Sequence, residues 1–268
     1  MYLIYHPPFG YGRLGNAIFR YFATIVLHYE YNIEYSNEID NINYTNLIKI
    51  NDNIFEQIVV NNKNNEKNIK INSNILLNDF YQFDIYLEYK NKIIRYMEKY
   101  KDIHLIKSDQ NDNYNIYKIS SLINNNKVNI YNYILHVRLE DFINIGTYIK
   151  VEYILKLLEN IKKDNNIDNI GIVVKKISNE FEEKYINEIT TWLNMNNIKY
   201  NIESNDVITD FQIMKQSNIL ICSKSTLSWC ATIISTNIQK CYFPKYRKSR
   251  YQLFNRPHIN TIYYDCGE

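Results

Sequence analysis

Residues 130–141 read Ile-Tyr-Asn-Tyr-Ile-Leu-His-Val-Arg-Leu-Glu-Asp, a strand pattern over 130–138 that ends in an imidazole, a guanidinium and two acids. Side chains alternate along a strand, so His136 and Arg138 face the same side, and Asp141 lies just past the strand end. Downstream, Val151, Ile154, Leu155, Leu158 and Ile161 fall on one helical face. Strand patterns over 170–174, 198–202, 219–222 and 240–243 then alternate with helical patterns over 180–195, 206–216 and 225–234. This alternation predicts parallel strands covered by helices, the α/β class. Working backwards, 2–5, 31–35 and 75–80 read as strands, and 16–29 and 85–100 as helices. The asparagine-rich stretch at 124–129 separates the halves, giving an N-terminal α/β domain over 1–128 and a C-terminal one over 129–268. Five of the eight residues 61–68 are also Asn, which suits surface loops and AT-rich coding better than function.

Open α/β sheets bind ligands outside the carboxyl ends of their strands, where His136 and Arg138 are placed. An Arg suits a diphosphate because its planar fork makes paired hydrogen bonds and keeps its charge. The same spacing also permits an Arg138–Asp141 ion pair with His136 capping the sheet. Further on, Asp210-x-x-x-Met214 leads through a strand into Ser223-Lys224-Ser225-Thr226-Leu227-Ser228-Trp229. Hydroxyls opening a helix after a strand can cradle an anion or simply cap the helix. Lys224 favours the anion, since a cation at a helix start opposes the helix dipole.

Three of the six glycines, Gly10, Gly12 and Gly15, spell G-x-G-x-x-G, with Glu34 nineteen residues beyond. That is the spacing of a dinucleotide fingerprint, but His6, Pro7, Pro8 and Phe9 separate it from the first strand. Arg13 and Asn16 add a cation and an amide at the helix start, which favours a phosphate or sugar-phosphate. A dinucleotide site and a tight structural turn stay open.

Gly12-Arg13-Leu14-Gly15-Asn16-x-x-Phe19-x-Tyr21, His136-x-Arg138-x-x-Asp141, and Asp210-x-x-x-Met214 followed by Ser225-Thr226-x-Ser228-Trp229 occur in that order. Together they resemble the motifs of alpha-1,2-fucosyltransferases, inverting glycosyltransferases related to the protein O-fucosyltransferases. Phe80-Tyr81-Gln82 resembles that family's aromatic-Gln element. The resemblance implies a GT-B fold, two Rossmann-like domains facing a central cleft. The N-terminal one would serve the glycan acceptor and the C-terminal one the nucleotide-sugar donor. It implies GDP-fucose as donor, transferred to a glycan hydroxyl with inversion and without metal or other cofactor. Arg138 would be the catalytic cation, with Arg13, Asn16, His136, Asp141, Asp210, Ser225, Thr226 and Ser228 on the donor. The family commonly has a second Arg and a Gly where this chain has Leu139 and Glu140, and an Asn at Lys224. A related deoxysugar such as rhamnose therefore stays open, and no general base is assigned.

The sequence is consistent with metal independence, since it contains no Asp-x-Asp and no H-E-x-x-H. Lys plus Arg is 31 against 29 Asp plus Glu in 268 residues, a net charge of +2, too small an excess for a nucleic-acid binder. No apolar run approaches the roughly 20 residues of a membrane span. The start at 1–8 is a poor signal peptide, so a cytoplasmic location is expected. Cys222, Cys230, Cys241 and Cys266 lack C-x-x-C spacing and read as reduced thiols. A nicotinamide-dependent oxidoreductase and a catalytically silent sugar-binding protein are the alternatives from other classes.

Overall fold

The computed structural model describes residues 3–5, 14–35, 47–63, 75–77, 85–108, 114–125, 127–245 and 260–267, in two units, Met1–Asn124 and Asn125–Glu268. The N-terminal unit runs β1 (Leu3–Tyr5), α1 (Leu14–Tyr31), β2 (Glu34–Tyr35), β3 (Ile48–Ile50), α2 (Asp52–Lys63) and β4 (Ile75–Leu77). A 3-10 turn at Ile85–Leu87, α3 (Lys90–Lys99), β5 (His104–Ser108), β6 (Tyr114–Lys118) and α4 (Ile119–Ile123) follow. The sheet order is β2-β1-β4-β3, every pair parallel, while β5 and β6 form a separate antiparallel pair. Helix α1 is apolar on nearly every side and buried from Leu14 to Leu27 except at the half-buried Asn16, as a core helix must be. Tyr86 packs between Phe19, Phe22 and Phe55 at centroid distances of 5.7, 5.5 and 6.3 Å, an aromatic cluster in the range where such rings attract.

The C-terminal unit runs β7 (Tyr133–Val137), α5 (Asp141–Asn144), α6 (Val151–Asp164), β8 (Asn169–Val174), α7 (Glu180–Met195), β9 (Lys199–Glu203) and α8 (Val207–Gln216). It continues through β10 (Ile219–Ile221), α9 (Thr226–Ile234), β11 (Lys240–Lys245) and β12 (Asn260–Asp265). Its six strands are ordered β9-β8-β7-β10-β11-β12 and all run parallel. Numbered within the unit this is 3-2-1-4-5-6, the doubly wound Rossmann order. Tyr133, Leu135 and Val137 pack in one core with Ile154, Leu157 and Leu158 of α6 and Ile186, Ile189 and Leu193 of α7. Strand alternation turns Ile134 and His136 to the other face, against which α8 packs, with α9 beside it.

The helix ends follow from their caps. Asp206 accepts from the N–H groups of Ile208 at 2.9 Å and Thr209 at 3.1 Å, and Asn179 from that of Glu182 at 2.9 Å. Both halves are α/β with parallel sheets, as the periodicity predicts. The strand read at 31–35 shrinks to β2 because α1 runs on to Tyr31 and the chain turns at Asn32, φ 54°. The helix read over 85–100 splits into the 3-10 turn and α3. Among the described residues no helix is long and apolar enough to cross a membrane, and all four cysteines are buried and free.

Gly171 in β8 leaves no room for a side chain. A β-carbon there would lie 2.6 Å from Ile134 Cδ1 and 2.8 Å from the Tyr131 ring. Gly171→Ala is expected to destabilise the protein by about 1–3 kcal/mol through overpacking, read from urea unfolding. A change within about 0.5 kcal/mol, as at an ordinary surface position, would contradict this packing.

Candidate functional site

The strand order reverses between β7 and β10, and doubly wound sheets take their ligands in the crevice beyond the carboxyl ends at such a point. His136, Arg138, Ser223 and Lys224 all line one cavity there, with Phe142 and Tyr185. The cavity holds about 10 Å³, near the minimum for one water, so a larger ligand would lie across the edge. A larger hollow of about 560 Å³ runs along α7, lined by Trp192 and Met195 but also by Glu180, Glu183 and Glu188. Those carboxylates repel a diphosphate.

His136 Nδ1 meets Ser223 Oγ at 2.9 Å, a buried hydrogen bond tying β7 to the segment after β10. Burial lowers the His136 pKa to about 4, so the ring is neutral at physiological pH and acts by hydrogen bonding rather than charge. The 223–228 segment is fixed from behind. The Cys222 N–H donates to the Tyr242 carbonyl at 2.9 Å, and the Tyr264 hydroxyl donates to the Cys222 carbonyl at 2.7 Å. Ser225 caps α9, its Oγ accepting from the Leu227 N–H at 3.3 Å. Ser228 is fully buried and donates to the Ser225 carbonyl at 3.0 Å, which engages its hydroxyl in supporting the helix start. Thr226 is the first residue of α9.

Arg138 forms the ion pair its spacing permits, Nη2 lying 2.9 Å from Asp141 Oδ1, and a second one 3.0 Å from Glu140 Oε2. Its guanidinium also lies 5.5 Å from the centre of the Phe142 ring. Both ion pairs use Nη2, which leaves the donors on Nε and Nη1 without a partner among the described residues. Glu140 occupies the second position of a tight turn closed by the Phe142 N–H on the Leu139 carbonyl at 2.9 Å. Its φ of 44° and ψ of −120° are those of a type II′ turn, where glycine is the usual residue. A side chain held in such a region costs about 1–3 kcal/mol. Such strain clusters at functional sites. Glu140 Oε1 also pairs with Lys175 Nζ at 2.9 Å, just past β8.

Asp210 belongs to another cluster. It accepts from the Asn205 N–H and Nδ2, each at 3.2 Å, and Asn205 Nδ2 donates to Glu203 Oε2 at 3.0 Å. Glu203 further accepts from the Tyr131 hydroxyl and from Asn129 Nδ2 at 2.8 Å. Burial raises the Asp210 carboxyl to about 7, against the lowering effect of the Asn205 donors. None of these partners belongs to the Arg138 cluster. Asn16 is half-buried in the first turn of α1, in the N-terminal unit. Arg13, Gly10, Gly12 and the Phe80–Gln82 element lie outside the described residues. Lys175 was open to discovery from sequence, as a cation directly after the strand at 170–174. The Glu140 turn was not, because nothing in a glutamate announces a positive φ.

No family profile matches the chain, and no curated protein matches it. A crystal structure of POFUT1 in complex with GDP is similar over 98% of this chain and 98% of its own, at 9% identity and a TM-score of 0.45. Another, in complex with GDP-fucose, is similar over 98% and 97%, at 10% identity and a TM-score of 0.43.

The raised Asp210 pKa has a definite sign. Protonation is favoured in the folded chain, so the stabilising contribution is full below the ordinary carboxyl value of 3.8 and is lost as pH rises through about 7. Asp210→Asn, whose amide oxygen can still accept from Asn205, is expected to melt above the wild type at pH 8, with the gap closing towards pH 4. A gap that is constant across this range in paired thermal melts would contradict the assignment.

Proposed function

We propose that the C-terminal unit binds a nucleoside-diphosphate sugar across the carboxyl edge of β7 and β10, and that the protein is a GT-B glycosyltransferase. The reading is of a fucosyltransferase that moves L-fucose from GDP-fucose to a glycan hydroxyl with inversion, like the alpha-1,2 enzymes. The observation that carries the diphosphate is the meeting of Arg138, Lys224 and the Ser225-capped start of α9 at the reversal of strand order. Fixed positive groups at a sheet's carboxyl edge are a common solution for phosphate. The choice of fucose rests on the ordered sequence motifs alone.

In such a transfer the acceptor oxygen attacks the anomeric carbon as the bond to the β-phosphate oxygen breaks, and the electron pair leaves with the nucleoside diphosphate. The acceptor proton passes to a base that we do not assign. Arg138 would take up the charge that develops on the leaving diphosphate through its Nε and Nη1 donors, a preorganised stabilisation that is usually a large part of catalysis. Asp141, on Nη2, orients it. Neutral His136 would offer Nε2 to the nucleotide, because Ser223 engages Nδ1. Thr226 and Ser225 would present the helix start, Ser228 would hold it in place, and Asp210 would support the donor pocket. Arg13 and Asn16 are assigned to the donor by the motif resemblance. With cationic side chains in this role, the reading requires no divalent ion.

Arg138→Ala is expected to lose about 100- to 1000-fold in transfer rate while keeping its circular dichroism spectrum. A near-normal rate would overturn the role. Calorimetric titration with GDP, UDP and dTDP, followed by hydrolysis of the matching sugar nucleotide, tests the substrate. GDP binding with slow hydrolysis of GDP-fucose is the expected result. Binding without turnover would indicate a silent relative, and NADH binding in place of GDP would indicate an oxidoreductase.

A further inference from the structure

Arg138 and Lys175 leave neighbouring parallel strands at the same edge. The register pairs His136 with Val173 and Val137 with Val174, so these cations are the next residues on each chain. A single carboxylate joins them. Glu140 Oε2 lies 3.0 Å from Arg138 Nη2, and Glu140 Oε1 lies 2.9 Å from Lys175 Nζ. The Glu140 side chain is 14% exposed and that of Lys175 69%, so the carboxylate is sheltered and the ammonium reaches it from solvent. The backbone aims Glu140 at this position through a turn that favours glycine, φ 44°.

The charge balance of this cluster raises a question for any phosphate ligand. Arg138 and Lys175 carry two positive charges, and Glu140 and Asp141 carry two negative ones. While Glu140 stays in place, its carboxylate opposes a diphosphate and occupies the sides of both cations that face it. Once the carboxylate swings aside, two cations stand where one anion bridged them, and the ligand's oxygens can bond both. Asp141 meanwhile continues to hold Arg138.

We propose that the Glu140 carboxylate is a built-in anion that holds Arg138 and Lys175 ready for the diphosphate and is displaced by it, which makes Lys175 a further diphosphate-binding residue beside Arg138 and Lys224. The inference rests on the nucleotide-sugar reading above and deepens it. Glu140 competes with the ligand, keeping empty-site cations paired and lowering affinity. Lys175 supplies the second cation from a strand that carries none of the family-like motifs.

The experiment is calorimetric titration of GDP, inorganic pyrophosphate and guanosine into the wild type, Glu140→Gln, Lys175→Met and the double variant. Glu140→Gln is expected to bind GDP and pyrophosphate roughly three- to tenfold more tightly. Lys175→Met should bind both about three- to tenfold more weakly, and guanosine should be unaffected by either change. In the double variant the gain from Glu140→Gln should shrink, because one of the two released cations is gone. Should Glu140→Gln fold poorly, Glu140→Gly keeps the turn and removes the same charge, and the same gain is expected.

Unchanged or weakened GDP binding in the Glu140 variants, with wild-type affinity in Lys175→Met, would overturn this inference. It would leave the wider reading standing if GDP still bound the wild type and Arg138→Ala still lost transfer activity. Absence of binding by GDP and pyrophosphate in every form of the protein would overturn both together.

Discussion

A buried hydrogen bond between His136 and Ser223 joins the two strands between which the sheet of the C-terminal unit reverses its order. It holds a neutral imidazole, since burial lowers the His136 pKa to about 4, and it fixes the segment that carries Lys224 and the start of α9. Behind it, Tyr242 and Tyr264 pin the Cys222 backbone from β11 and β12. The last strand of the sheet thus bears on the site through the Tyr264 hydroxyl. Rigid positioning of this kind suits the proposed diphosphate site, because electrostatic stabilisation works only if the dipoles and charges need not reorganise.

Two features of the unit run against stability, and both involve acids. Glu140 stands at a backbone position suited to glycine, and Asp210 is buried far enough to raise its carboxyl to about 7. The ion pairs to Arg138 and Lys175 hold the first in place, and the Asn205 donors only partly offset the second. Strain and desolvated charge of this sort persist where surrounding structure enforces them, and they are commoner at functional sites than elsewhere. They lie in separate clusters.

Much of the C-terminal unit was legible in the sequence because its central strands are buried on both faces and its helices carry one apolar stripe, so the period changes cleanly from element to element. The face of α6 through Ile154, Leu158 and Ile161 is the face that packs. Strand β12 escaped notice because Asn260–Asp265 alternates weakly and has exposed positions on an edge. In the N-terminal unit, strands of two or three residues such as β2 and β3 are too short to show a period. The core there is written in tyrosine and phenylalanine, as in Phe19, Phe22 and Tyr86, which read equally well in strands. At the site, His136, Arg138 and Ser225 were legible from strand alternation and capping chemistry. The pairing of Arg138 with Asp141 was legible only as one of two options. Glu140 and Lys175 were invisible as a pair, because their meeting depends on strand order and on a positive φ.

Hydrogen–deuterium exchange of the intact protein with and without GDP tests the central claim most directly, since it reports where a ligand sits without assuming a reaction. Added GDP is expected to protect residues 136–141 and 222–228 together, the two segments that the His136–Ser223 bond brings to one edge. Protection confined to other parts of the chain, with both of these segments exchanging as before, would contradict the account.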